Sequence, residues 1–551
     1  MQPINSIITS ESELPEGALL TTERGVFMLP PALQAGMAVI SVGKSKSKEC
    51  WLVATREMFG SPAFMQLLET LNSAYKGSDE ARKYKIISKR RIDEQVLKLV
   101  YEHDQIMHSN ISEMRDDSRI ISYFEEMVAD ALREEVSDIH IEKRAHSAIV
   151  KMRKHGEMLE YRELSKSHAY DLCSVIYNVL AENRDIVFNE MEYQAAAVNR
   201  VVEGIEVKLR YQSLPVYPDG FDVVLRVLPI GKNEEYVPLE KLGYAPSHIS
   251  GLMDIVSKPV GTLVIAGTTG SGKSTTLKNL LMYIHEQRGF KDKIYTVEDP
   301  PEYKIPRVSQ IPVIRRKGDD YSKKSPFEEP IAACMRADPD ILMIGEVRDR
   351  ATGDLLKKAV QSGHQVLTTV HAASALAIIE RFIDFGISES VLGSQEFISG
   401  LCYQKLVPLI CPKCSVDLQD SVNLPDAKES DITLLERVMK VCDLSKDSVR
   451  VRGPGCDTCG KIGVIGRTVC AEIITPDFEL LKCFRSGDSI TAHVHWRDKS
   501  DKDPYSWNMT GKSAMEHAML KMRKGMVSPK DVESAFGMIT PTALGMQKSE
   551  S

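Results

Sequence analysis

The pattern of apolar and polar positions changes period several times along the chain. Gly261-Thr-Leu-Val-Ile-Ala266 is a short continuous apolar run, and beyond it Leu277, Leu280, Leu281 and Ile284 recur on one face of a helix over 275–284. Three more apolar runs predict further strands: Lys293-Ile-Tyr-Thr-Val297, the stretch inside Asp338-Pro-Asp-Ile-Leu-Met-Ile-Gly-Glu-Val-Arg-Asp349, and Gln365-Val-Leu-Thr-Thr-Val370. Four such strands with helices between them predict a parallel sheet of the α/β class.

Upstream the pattern is different. A helix over Ile120–Arg133 leads into strands at Val136-Ser-Asp-Ile-His-Ile-Glu142, Ala148–Arg153, Glu203–Arg210 and Phe221–Leu228. Ile205, Val207 and Leu209 face one way and Glu206, Lys208 and Arg210 the other, which on alternation alone is a core face and a solvated face. Arg226 interrupts a nearly continuous apolar run, where an unpaired charge is costly, so it is either an ion-pair partner or a phosphate ligand.

The first 75 residues alternate short apolar runs (Gly25–Leu29, Ala38–Val42, Trp51–Ala54) with turns and end in an amphipathic stretch, Phe64–Leu71. This predicts a small α+β domain without a catalytic constellation, either a docking module or a plain appendage. Lys76 to Arg91 is strongly charged and short, which favours a solvated linker over a contact with acidic lipid. Glu234–Leu242 predicts a second linker. After Cys470 come short helices, a polar insertion (Ser500–Ser506), an amphipathic run (Met515–Met522) and a helix start at Ser528-Pro529; the last residues are expected to be disordered.

Composition narrows the function classes. In 551 residues, room for several domains, 70 basic and 77 acidic side chains leave a net charge of −7, and no basic, aromatic stripe suits a nucleic-acid binder. No apolar run approaches the roughly 18 residues of a membrane span, and the N-terminus lacks the order of a signal peptide, so a cytoplasmic protein is expected. Eleven cysteines are too sparse for a disulfide scaffold, and four of them pair as Cys411-Pro-Lys-Cys414 and Cys456-Asp-Thr-Cys459. Two such knuckles can make a closed tetrahedral zinc site, structural rather than catalytic.

The chemistry centres on Gly267-Thr268-Thr269-Gly270-Ser271-Gly272-Lys273-Ser274, which fits GxxxxGK[ST] between a strand and a helix. Glycines let successive backbone N–H groups close on a polyphosphate, and the helix N-terminus, with Thr275 in its first turn, adds its positive dipole. Lys273 is expected to reach the β- and γ-phosphates and Ser274 to hold Mg2+. Glu298 and Asp299 at a strand end, Glu346 and His371 after the next two, and His364 before the last are the other candidates. The strand before Glu346 ends in glycine and glutamate instead of a metal-holding aspartate, so Glu298 or Asp299 is expected to complete the metal's surroundings and Glu346 to orient or deprotonate the attacking water.

With these motifs in order, the sequence resembles the type II secretion / type IV pilus assembly ATPase family over roughly residues 117–537. The likeness rests on Ser137–Glu142, Leu242-Gly-Tyr244, the loop at 267–274, Glu298-Asp-Pro-Pro-Glu302, Asp338–Asp349 and Gly363–His371. Departures are Arg350-Ala-Thr352, Ala372-Ala373, Gln404-Lys405 and Phe221, which stands where the family has glutamate. The resemblance implies a RecA-like P-loop core preceded by a PAS-like α+β domain, with a small zinc-binding insertion and a helical C-terminal segment. Its parts are expected at 1–75 (docking), 76–117 (charged linker), 118–232 (PAS-like, with the arginine pair), 233–400 (ATPase), 401–475 (tetracysteine) and 476–551 (helical).

It further implies ATP, Mg2+ and Zn2+ as ligands and a homo-hexameric ring peripheral to the inner membrane. Arg210 and Arg226 are expected to swing against bound nucleotide. The partners implied are a membrane platform protein and other pilus or secretion components, with no nucleic acid, and the four cysteines favour extension over retraction. The competing readings are a RecA-type nucleic-acid translocase, disfavoured by the acidic charge, and a non-hydrolysing docking ring, disfavoured by the complete catalytic set.

Overall fold

The computed structural model describes residues 7–541 apart from 11–12, 16, 18, 23–25, 43–47, 77–82, 183, 185–186, 232–234, 315–324 and 424–427, and without the side chains of 31 and 102–116. The chain divides into two compact units, Met1–Phe124 and Glu125–Ser551.

In the first unit β1 (Ile7–Ile8), β2 (Met37–Ser41), β3 (Glu49–Ala54) and β4 (Lys85–Ile92) form one sheet in the order β1-β4-β3-β2. The helix Pro62–Lys76 buries Phe64, Leu67 and Leu71 against Cys50, Leu52 and Ala54, while Val53 and Ile92 pack with Val96 and Leu97 on the other side. β4 corrects the linker expectation for 76–117. Its charged residues conceal a strand: Arg90 and Arg91 lay their guanidinium groups over the rings of Trp51 and Phe59, 5.5 and 5.3 Å from the centroids. The helix expected from Ile120 is the last part of a 40-residue helix, Glu94–Arg133. Within 25–29, Val26–Leu29 is turn and coil that contributes Phe27 and Leu29 to the core; Gly25 lies outside the described residues.

The second unit opens with a wholly antiparallel sheet of seven strands. These are β5 (Val136–Lys143), β6 (Ala148–Lys154), β7 (Glu157–Leu164), β8 (Ala181–Glu182), β9 (Gln194–Val202), β10 (Ile205–Val216) and β11 (Gly220–Ile230), ordered β7-β6-β5-β11-β10-β9-β8. One face is core: Ile139, Ile141, Val150, Leu209, Val223 and Leu225 are fully buried. The alanine-rich β9 shows no period of two, since only Gln194, Val198 and Val202 are buried, so alternation did not predict it. Phe221 is a core residue, packed edge-on against Phe188 at 5.5 Å.

A second seven-stranded sheet follows, built from β12 (Gly261–Ala266), β13 (Ile294–Glu298), β14 (Ser309–Pro312), β15 (Ile341–Ile344), β16 (Gln365–Val370) and β17 (Ile398–Ile410). After the small pair β18 (Val416–Asp417) and β19 (Arg450–Val451) comes its last strand, β20 (Val464–Ile474). The order is β14-β13-β15-β16-β12-β17-β20, all parallel except β20. Both faces are covered, as parallel sheets require. Leu263 and Ile265 meet Leu277, Leu280 and Leu281 of the helix Lys273–Gln287 on one side, and Val264 and Ala266 join Leu356, Ala359 and Phe382 on the other.

β17 and β20 thus belong to this sheet, and of the segment 401–475 only the part between them stands out as an insertion. The C-terminal helices Ala514–Arg523 and Pro529–Phe536 bury Met515, Met519, Met522 and Val532 with Leu434 and Val438 of that insertion. The polar stretch at 500–506 is folded, since Lys512, only 4% exposed, pairs with Asp501 at 2.7 Å. Residues 542–551 lie outside the described residues.

Candidate functional site

β12, β13, β15 and β16 run parallel, so the loop after Ala266, Glu298, Glu346 and His371 all come to one edge of the sheet. The loop needs its glycines. Gly267 has φ +154°, and a Cβ there would lie 2.5 Å from Gln404 O and from Ser271 Oγ. Gly272, at φ 84°, is the N-cap of the helix Lys273–Gln287. Lys273 Nζ donates to Gly267 O at 2.8 Å and Thr268 O at 3.2 Å, and burial lowers its pKa against the opposing pull of Glu346 and Glu302.

The loop borders a cavity of about 810 Å3 lined by Thr269 to Thr275, Glu298, Asp299, Glu346 and His371. Gly267 and Thr268 are not among the lining residues; they meet the site through their carbonyls on Lys273. Glu346 sits two residues beyond β15. Its Oε2 accepts from Arg348 Nε at 2.8 Å, and its Oε1 is 3.3 Å from His371 Nε2. Glu298 Oε1 accepts from Thr296 Oγ1 at 2.6 Å and Gln310 Nε2 at 3.1 Å; burial nevertheless raises its pKa. The structure does not bring His364 to the site. It precedes β16 while His371 follows it, and its Nδ1 lies 3.0 Å from Ala359 O.

The facing wall comes from the antiparallel sheet. Register places Arg153, Asp138, Arg226 and Arg210 side by side on β6, β5, β11 and β10, and all four line the cavity. Arg226 Nε donates to Asp138 Oδ1 at 3.1 Å, and Ser137 Oγ donates to Asp138 Oδ2 at 2.8 Å. Arg226 is therefore ion-paired and cavity-facing at once. The charged face of β10, read from alternation as solvated, ends in Arg210 at this wall. Arg153 and Arg467 of β20 also line the cavity and carry no sequence motif; only cross-strand register finds Arg153, at the partner position of Asp138.

The four paired cysteines converge. Their sulfur atoms all lie within 4.8 Å of one another, with Cys411–Cys456 at 3.7 Å, Cys414–Cys459 at 3.9 Å and Cys456–Cys459 at 3.8 Å. A tetrahedron of zinc–sulfur bonds of about 2.3 Å sets its sulfurs about 3.8 Å apart, so the spacing fits. Desolvation pushes the Cys459 thiol up, but N–H groups of Cys456 and Gly463, each 3.2 Å from its sulfur, help bring it down to about 6. Such donors favour thiolate, the ligand form.

Known proteins resemble this chain in sequence and fold. The family model described as type II/IV secretion system protein matches residues 113–524. The chain is 31% identical over 404 residues to the type II secretion system protein E of Pseudomonas aeruginosa, covering 73% of this chain and 75% of that one. It is 31% identical over 383 residues to the type IV pilus assembly ATPase PilB of Thermus thermophilus, covering 68% of this chain but 39% of that relative's length. The solved ATPase DotB of Legionella pneumophila shares the α/β fold, with a TM-score of 0.50 at 19% identity over 75% of this chain and 95% of that one. The chain belongs to the type II/IV secretion system protein family, and it is one of that family's ATPases.

Proposed function

We propose that this ATPase is an assembly motor, a hexameric ring that extends a type IV pilus or a type II secretion pseudopilus through an inner-membrane platform protein. The ring works at the cytoplasmic face and its membrane association runs through partners. The observation that carries this reading is the cavity itself: a phosphate-type loop and carboxylates on one wall, a row of arginines on the other. In this reading the parallel sheet is a RecA-like P-loop core and the antiparallel sheet the PAS-like domain. The antiparallel sheet, the parallel sheet with β20, the insertion between β17 and β20 and the C-terminal helices act as its working parts, with the first unit, Met1–Phe124, as the docking domain.

The loop amides and Lys273 hold the phosphates, and Glu346 orients the attacking water. Arg210 and Arg226 meet charge developing on the γ-phosphate. The Ser274 hydroxyl with Glu298 and Asp299 in the same cavity lining is an all-oxygen donor set of the kind Mg2+ takes, and the ion would supply charge neutralisation when bound. Arg226 holds Asp138 through Nε–H alone, which leaves its terminal N–H groups for a phosphate, and in this reading movement of the antiparallel sheet against the parallel one brings them to it and couples turnover to work.

The test is steady-state hydrolysis across protein concentration with size measured in parallel. Rate per chain is expected to rise as rings form, and Arg226→Ala to lose about 10³-fold in kcat, as loss of an arginine donor does. Equal activity in monomer and indifference to Arg226 would overturn the coupling. The four cysteines hold zinc in this reading, and metal analysis is expected to find one ion per chain. Cys456→Ser is expected to abolish that ion and, for several kcal/mol lost at roughly 2–4 °C each, lower the melting midpoint by about 10 °C.

A further inference from the structure

Two motifs, Leu242-Gly-Tyr244 and Gln404-Lys405, have no part in the mechanism above, yet the structure joins them beneath the phosphate loop. Gln404 lies on β17 beside β12 and is fully buried; Tyr244 is 4% exposed. Gln404 Nε2 donates to Ser271 O at 2.7 Å, and Tyr244 O–H donates to Gln404 Oε1 at 2.5 Å. The phenol oxygen also lies 3.0 Å from Thr276 Oγ1, in the first turn of the helix that the loop feeds. The turn carrying Tyr244 is itself pinned, since Lys521 Nζ donates to Gly243 O at 2.6 Å.

The chemistry of these groups fixes their orientation. Ser271 C=O can only accept, so the amide nitrogen of Gln404 faces the loop and its oxygen faces Tyr244. A phenol that donates to that oxygen holds the amide against a flip. The peptide between Ser271 and Gly272 is planar and trans, so its C=O and N–H point in opposite directions. A carbonyl tied down onto β17 therefore turns the Gly272 N–H the other way, toward the cavity that Gly272 lines. The loop also rests closely on this support: a Cβ at Gly272 would lie 3.3 Å from Gln404 Nε2.

We propose that Gln404, held by Tyr244, is a positioning residue that aims the Gly272 amide of the phosphate loop at the nucleotide. Neither side chain touches substrate; both act through the Ser271 carbonyl. The proposal rests on the reading of residues 267–274 as a phosphate loop, and the experiment separates the two.

MgADP binding is measured by titration calorimetry on the full chain for wild type, Gln404→Met, Tyr244→Phe, the double variant and Lys273→Ala. Gln404→Met is expected to weaken MgADP binding about 10-fold or more, the scale of one hydrogen bond to a charged group, and Tyr244→Phe about threefold. The double variant is expected to bind no worse than Gln404→Met, because Tyr244 acts only through that amide. In turnover, KM for MgATP is expected to rise more than kcat falls. A merely structural pair would give additive losses, or lower the melting midpoint without changing the dissociation constant, and either result overturns the proposal. If Gln404→Met does not fold, Tyr244→Phe decides alone, and unchanged MgADP affinity there overturns it. Should Lys273→Ala bind MgADP as wild type does, the phosphate-loop reading fails instead.

Discussion

Lys273→Ala is expected to abolish ATP turnover and to weaken MgATP binding severely. The lysine stands at the start of the helix Lys273–Gln287 with its ammonium on the carbonyls of Gly267 and Thr268, at the rim of the cavity. Those contacts are local and cost little to exchange for phosphate oxygens. Burial disfavours the charged ammonium, and Glu346 and Glu302 oppose that effect. A polyphosphate would add far more negative charge to the same spot, so binding and protonation of Lys273 reinforce one another. Removing a preorganised cation costs at least about 10²–10³ in kcat, or about 2.7–4 kcal/mol. Phosphate release and equilibrium binding of a fluorescent nucleotide check both halves of the expectation. A variant that binds and hydrolyses at wild-type levels would place the phosphates elsewhere in the cavity and remove the basis for the motor reading.

The parts of the site that the sequence revealed are those whose chemistry is local. The glycine loop, its lysine and serine, and the carboxylates at strand ends each sit within a few residues of an element boundary, and the cysteine knuckles carry their own spacing. What hid from the sequence depends on register. Arg153 is an ordinary residue in an alternating strand, and Asp138 a motif residue without a role, until β6 is laid beside β5 and β11 beside β5, which makes one charged row with Arg226 and Arg210. The face of β10 bearing Glu206, Lys208 and Arg210 looks solvated by period alone, because a period of two says that two faces differ but not what either one meets.

His364 failed for a related reason: its position next to a strand was visible, but the strand's direction puts it at the end away from Glu346. β4 was missed because its basic side chains lay their guanidinium groups over aromatic rings from elsewhere in the first unit, so by composition alone it resembles a linker. Gln404 and Tyr244 could be seen as motifs, but their contact spans 160 residues and no local pattern predicts it.

Glu346→Gln is expected to bind MgATP about as wild type does and to lose turnover by about 10³-fold or more. The glutamate is 17% exposed at its side chain and shared between Arg348 on one oxygen and His371 on the other. Glutamine keeps the volume, and its amide oxygen can still accept from Arg348, so the fold and the phosphate loop have no cause to change. What it loses is the second anionic oxygen, the group able to order a water and draw off its proton, while general base catalysis alone contributes about 10²–10⁴.

The pairing has a further consequence. Each Glu346 oxygen has one partner and keeps a lone pair that can accept from water, and the arginine row lines the same cavity. In the motor reading chemistry waits on approach of that wall, so Glu346→Gln and Arg226→Ala should both fall at the same step. Their combined loss should be far less than the product of the two single losses. Single-turnover kinetics on the two variants and their double tests this. Retained hydrolysis by Glu346→Gln would shift the role of base to Glu298 or Asp299, and multiplicative losses would separate the water-activating step from the arrival of the arginines.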